Sequence, residues 1–149
     1  MTTTDSIKKQ IVLRATPARV WRALSNAREF GTWFGVDLRD DFVPGAAIQG
    51  KVVYQGKTVA FTFHIERMEP ERLLAFRWHP FAVDPAIDYA REPTTLVELA
   101  LAPAPEGTLL TVIESGFDQL PLARRAKAFE MNDGGWAAQM ENIERHVEA

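Results

Sequence analysis

The chain contains no cysteine, which removes disulfides, thiolate metal sites and cysteine nucleophiles together and fits a reducing compartment. Histidine is scarce: His64, His79 and His146 are the only three, and no two share the spacing of metal ligands on a helix. No stretch approaches the ~20 apolar residues of a membrane span, and the opening MTTTDSIKK lacks the apolar core of a secretory signal. The expectation is a cytoplasmic protein without membrane insertion. Excess positive charge is missing as well. Lys and Arg number 17 against 20 Asp and Glu, a net charge of -3, so nothing draws the chain as a whole to phosphate backbones, and nucleic acid is not an expected partner. Serine chemistry has no frame, because none of Ser6, Ser25 and Ser115 stands in GxSxG. Gly56-Lys57-Thr58 resembles the end of a phosphate-binding loop, yet the earlier glycine such a loop requires falls at Lys51, within a hairpin. No metal and no cofactor are expected, and no internal repeat or low-complexity tract is visible.

What is present is an ordinary globular composition. Hydrophobic residues make up 46% and charged residues 25% of 149, which suits one domain, 1–149, burying roughly 70% of its unfolded surface. Residues 7–15 alternate as a strand. Thr16-Pro17 then reads as an N-cap followed by a proline at the first helical position, opening a helix whose apolar face is Val20, Trp21 and Leu24. A second short helix is expected over 26–31, before Trp33-Phe34-Gly35. From 36 to 114 the texture is strands separated by turn residues. Gln55-Gly56 divides a hairpin whose second strand sets Val59, Phe61, Phe63 and Ile65 on one face. RLLAFRWH sets Leu74, Phe76 and Trp78 on one face, and strands over 94–102 and 107–114 flank the PAPEG turn. The connection over 80–93 holds three prolines and is long for a hairpin, the kind of segment that is either a binding loop or a plain surface loop. After Pro121 the period becomes helical, with Leu122, Ala126, Phe129, Trp136, Met140, Ile143 and Val147 on one stripe. Asp133 interrupts that stripe, and Gly134-Gly135 follows in mid-helix, predicting either a kink or a close approach to the helix backbone.

This order of elements resembles the α+β helix-grip architecture of the START-like, Bet v 1-like (SRPBCC) superfamily. Within it, ATPARVWRALSNAREFGTWFG, RLLAFRW, GTLLTVIESGF and GGWAAQMENIERHVE are similar to the branch related to the C-terminal domain of the Hsp90 ATPase activator Aha1. The resemblance covers nearly the whole chain. It implies a curved antiparallel sheet of six or seven strands wrapped on the long C-terminal helix, with two short helices after the first strand. It also implies a small apolar or amphipathic ligand held between sheet and helix. Other members of the superfamily are cyclases, dehydratases or hydroxylase-associated domains, so a cyclase or hydrolase-like enzyme is a second expectation. A co-chaperone or stress-related interaction module acting through an exposed apolar surface is a third, and open sheet edges leave a homodimer compatible with all of them.

Candidate residues follow from chemistry at inward-facing positions. Trp33, Phe61, Phe63, Trp78, Phe117, Phe129, Trp136 and Met140 converge if the helix packs across the sheet, as a cavity wall or as plain core. Buried carboxylates discriminate better, because an ionised one is costly to bury without partners. Glu114 follows Leu110 and Val112 at the strand period and Asp133 lies on the helix stripe, so both are candidates to orient a ligand or to act as acid or base. The alternatives are a solvent-facing strand end for Glu114 and a sheet-edge carboxylate for Asp133. His79 ends its strand at the mouth of the long connection, at a pocket entrance or on the surface; His64 faces solvent, and His146 suits the helix C-terminal dipole. The basic cluster over 123–127 is expected to be a solvated helix face.

Overall fold

The computed structural model describes residues 5–84 and 86–149; residues 1–4 of the opening and Pro85 of the long connection lie outside them. Strand β1 (Ser6–Leu13) leads into helices α1 (Pro17–Ser25) and α2 (Ala27–Phe34). The strands β2 (Asp37–Leu38), β3 (Ala47–Tyr54), β4 (Lys57–Glu69), β5 (Leu73–Trp78), β6 (Thr95–Ala104) and β7 (Gly107–Ser115) follow, and α3 (Leu122–Val147) ends the chain. The seven strands form one antiparallel sheet in the order β1-β7-β6-β5-β4-β3-β2. Hairpins join β3 through β7 in sequence, while β1 returns to pair along β7 from Ser6↔Ser115 to Leu13↔Thr108. The register of β4 on β5 slips between Ile65 and Arg67, a bulge that bends this longest strand and lets the sheet curve.

Local chemistry sets the helix limits. The Thr16 hydroxyl accepts the Arg19 amide at 3.1 Å and Asn26 accepts that of Glu29 at 3.0 Å, so two caps start two helices within ten residues. Helix α2 runs past the expected stop at 31 and ends at Gly35, whose φ of 86° supplies the left-handed C-cap. Trp33 and Phe34 are therefore helical. No helix among the described residues is long and apolar enough to cross a membrane.

Alternate residues of the strands fill the interior: Phe63 and Ile65, Leu74 and Phe76, Val97 and Leu99, Leu110 and Val112. Across them lie Ala128, Trp136, Met140, Ile143 and Val147 of α3, each large apolar side chain contributing roughly 1.5–3 kcal/mol by burial. The expected stripe holds from Trp136 onward; before it, Phe129 still packs against the core, partly buried, while the first turns of the stripe face outward. Leu122 is 80% exposed, because counting back from Trp136 in fours leads through Asn132, Ala128 and Arg124 rather than through Asp133, Phe129 and Leu122. Helix α3 is continuous through Gly134 and Gly135, and a Cβ built at either meets nothing within 4 Å, so no strand approaches the helix backbone there.

One polar knot ties the three helices. Glu29 accepts from Arg19 at 2.8 Å and Arg22 at 2.6 Å and bonds His146 near the end of α3 at 2.8 Å, so His146 meets a carboxylate rather than free helix carbonyls. Burial pushes the Glu29 carboxyl up, but the bonds from His146, Arg19 and Arg22 outweigh it and hold the group at about 2 against its ordinary 4.5. A depressed carboxyl stabilises the fold above the unfolded value and loses that contribution as pH falls toward the folded one. Unfolding measured from pH 6 to pH 2 is expected to show about 2 kcal/mol lost below pH 5, discounted for the group's partial exposure. In Glu29→Gln that part of the acid slope is absent, and an unchanged slope would remove this assignment.

Candidate functional site

The interior beneath α3 contains a carboxylate. Glu114 on β7 is 0% exposed, so the strand phase that carries Leu110 and Val112 inward carries it too. Both of its oxygens are occupied. Oε2 accepts from the Trp78 indole at 2.7 Å and the Thr95 hydroxyl at 2.6 Å, and Oε1 accepts from the Trp136 indole at 2.8 Å. The Asn132 side-chain amide donates across the pair at 3.0 and 3.1 Å. Strands β5 and β6 and helix α3 thus each donate to one group carried by β7. A carboxylate is an acceptor on every lone pair, which is why two tryptophans, each a donor only, can be fastened to it. The bonds fix both indole planes, with ring centroids 5.9 Å apart and 34° between them, and Phe34 of α2 lies against both at 6.0 and 5.8 Å.

Open space lies on either side of this aromatic group. A cleft of about 170 Å³ is lined by Phe34, Trp78, Asn132, Gly135, Trp136 and Gln139. A smaller one of about 90 Å³ is bounded by Phe61, Trp78, His79 and Asn132 beneath Phe81, Ala82 and Val83 of the long connection. Trp78 and Asn132 border both. Gly135 opens the first cleft to the backbone of α3, which gives the missing side chain at that position a use. The largest hollow lies elsewhere, an open trough of about 900 Å³ between α2 and the β2 edge. Its walls mix Arg28, Arg39 and Lys51 with Asp37, Asp40 and Asp41, whereas the smaller spaces have aromatic walls between sheet and helix, so the site is placed at the latter.

The sequence-derived candidates divide accordingly. Trp78, Trp136, Phe61 and His79 line the clefts, and Glu114 holds two of them in place. Trp33 lines neither cleft: it packs against Phe34 with rings 5.7 Å apart, its indole donating to the Ala23 carbonyl of α1 at 2.8 Å. Phe63 is 0% exposed, inside a cluster with Phe61, Phe76 and Trp78, and Met140 is likewise core. Phe117 and Phe129 pack edge to face at 5.2 Å, away from the cleft linings. Asp133 is the clear correction. It points to β1, pairing with Lys9 at 3.0 Å with its side chain 47% exposed, so it shares no interior space with Glu114 and the two do not form an acid–base pair. His79 Nε2 lies 3.1 Å from the Glu92 carbonyl, across the base of the long connection.

Three positions carry more than the sequence indicated. Thr95 gave no signal, being one threonine at a strand start. Asn132 was hidden by the neighbouring Asp133, although it stands four residues before Trp136 and so on its face. Arg124, within the cluster expected to be solvated, is only 14% exposed in its side chain and bonds Glu92 at 2.7 Å and the Pro80 carbonyl at 2.7 Å. Among the described residues no group of three or more His, Asp or Glu is placed to hold a metal ion.

Comparison with known proteins agrees with this architecture. Residues 14–148 match the family model described as activator of Hsp90 ATPase homolog 1-like protein. Protein MLL2253 from Mesorhizobium loti superposes with a TM-score of 0.75 at 20% identity, with 96% of each chain covered. Protein CV1439 from Chromobacterium violaceum gives 0.77 at 20% identity over 99% of both. DynU16, a protein of the dynemicin biosynthetic locus, gives 0.74 at 24% identity, with 97% of this chain and 48% of that one covered. These likenesses show the fold. No curated protein matches the chain. With the family model spanning all but the first thirteen residues and the last, the chain belongs to the activator of Hsp90 ATPase homolog 1-like family, within the SRPBCC fold.

Proposed function

We propose that this protein binds a small apolar or amphipathic molecule against Trp78, in the cleft between the sheet and α3. The observation that carries the reading is the fixed Trp78–Trp136 pair, with aromatic-walled space beside it and a carboxylate behind it holding both indoles. A preorganised aromatic wall with a few polar groups at its rim suits a small-molecule site, since little side-chain entropy is left to lose on binding. Asn132 and Gln139 supply amides at that rim, and His79 supplies a ring nitrogen on the far side of Trp78. The same carboxylate is spent on four donors, so it serves to position the wall rather than to meet the ligand. Membership of the family supports the reading, because its fold generally binds ligands in a cavity.

Native against denaturing mass spectrometry of protein purified from its own host tests it. The expected result is a reproducible added mass that accompanies the folded chain and departs on unfolding. Absence of any adduct, together with unaltered tryptophan emission when neutral apolar compounds are titrated in, would sink the proposal.

A further inference from the structure

The cleft reading meets a size problem, and its solution points to a moving part. Drug-sized ligands occupy roughly 300–1,000 Å³, whereas the spaces beside Trp78 are about 170 and 90 Å³. A ligand of that size enters only if a lining element yields. Phe34, Trp78, Asn132 and Trp136 sit in helices or in the sheet, where backbone ladders hold them. Phe81, Ala82 and Val83 do not: they belong to the connection between β5 and β6, outside every ladder.

One side chain bonds both limbs of that connection, which is also held by His79 against the Glu92 carbonyl at 3.1 Å and by Phe81 against Tyr54. Arg124 of α3 donates Nη1 to the Pro80 carbonyl at 2.7 Å, on the outgoing limb, and Nε to Glu92 at 2.7 Å, on the returning limb. Its guanidinium also lies 4.9 Å from the Tyr89 ring centroid. The closed arrangement carries two unfavourable features. Arg124 Nη2 is the buried side-chain polar atom without a hydrogen-bond partner among the described residues, and Phe81 adopts φ 50°, a left-handed conformation uncommon outside glycine, asparagine and aspartate. A segment closed by a strong tether while holding an unsatisfied donor and a strained residue has a reason both to stay shut and to open.

We propose that residues 81–83 form a lid over the smaller cleft beside Trp78 and that Arg124, bonding the flanking Pro80 and Glu92, is its tether, a positioning residue controlling entry. This rests on the cleft reading, and the test separates the two. Hydrogen exchange of the full chain is compared for wild type, Arg124→Gln and the milder Glu92→Gln, alongside stopped-flow association of the neutral dye N-phenyl-1-naphthylamine. Exchange across 79–94 is expected to rise by at least about tenfold in Arg124→Gln, which loses the charge-assisted bonds to both Pro80 and Glu92, with β1, β7 and the second half of α3 unchanged. The dye is expected to associate faster by a similar factor, and Glu92→Gln to fall between. Exchange across 79–94 within about twofold of wild type overturns the tether. Faster exchange with an unchanged association rate overturns the lid while leaving the cleft standing. Faster exchange with no dye binding to any of the three proteins overturns the cleft reading and the lid with it.

Discussion

Glu114→Gln is expected to lower the unfolding free energy by about 3 kcal/mol, although it removes only a charge and no volume. The size of the effect comes from donors. Trp78, Trp136, Thr95 and Asn132 all give hydrogens to the two oxygens, and a glutamine replaces one of those oxygens with an NH₂ group. Two donors then face each other in the interior, and at least one indole loses its acceptor in surroundings that water does not reach. Each buried unsatisfied donor costs about 1–3 kcal/mol. Trp136→Phe, which removes one donor and leaves the carboxylate three, serves as the graded comparison and is expected to cost less. Urea unfolding measures both, with near-ultraviolet circular dichroism following the loss of fixed indole geometry. A change below about 1 kcal/mol in Glu114→Gln would mean that the carboxylate is not what holds the wall.

Phe63→Ala is expected to cost about 4 kcal/mol and to create a space the wild type lacks. Its ring lies 4.9 Å from that of Phe76, 5.2 Å from Phe61, 5.6 Å from Trp78 and 5.8 Å from Phe30, and these neighbours belong to separate strands and a helix that cannot all collapse inward. An apolar cavity of this kind stays dry and accepts small apolar molecules. Benzene should therefore raise the stability of the variant by binding its native state, and should leave the wild type nearly unchanged. Equal gains in both proteins would show that the centre of the core is already hollow, and would move the binding site from the Trp78 cleft to the position of Phe63.

The fold was legible because its signals repeat. Alternation in β4 to β7 persists over several residues each, the Thr16-Pro17 cap is local, and four motifs stand in one order. The site was legible in part, for a geometric reason. On a strand the period is two, so Leu110 and Val112 settle the direction of Glu114. On a helix the period is not a whole number, and stepping back three or four residues from Trp136 gives Asp133 or Asn132 with nearly equal claim. The sequence pattern offered the charged residue as the chemically interesting one, while packing chose the amide, leaving Asp133 to Lys9 at the margin. Aromatic residues were recognisable as interior but not as wall or filling: Trp33 and Trp136 look alike along the chain, and only the partner of each indole nitrogen, the Ala23 carbonyl or Glu114, separates them. Arg124 was read by its neighbours in sequence, and its role depends on residues more than thirty positions away.

The pairing of β1 with β7 also constrains how the molecule is made. Ser6 lies opposite Ser115, so β1 has no edge to join until more than a hundred further residues have been polymerised. During synthesis at roughly 5–20 residues per second, Ile7, Ile11 and Leu13 wait for seconds as an unpaired apolar strand. Glu114 waits as well, for Asn132 and Trp136 arrive after it. The β3 to β7 hairpins can form in order as they emerge, but the sheet acquires its seventh strand only once β7 is made, and its buried carboxylate acquires its last donors only with α3.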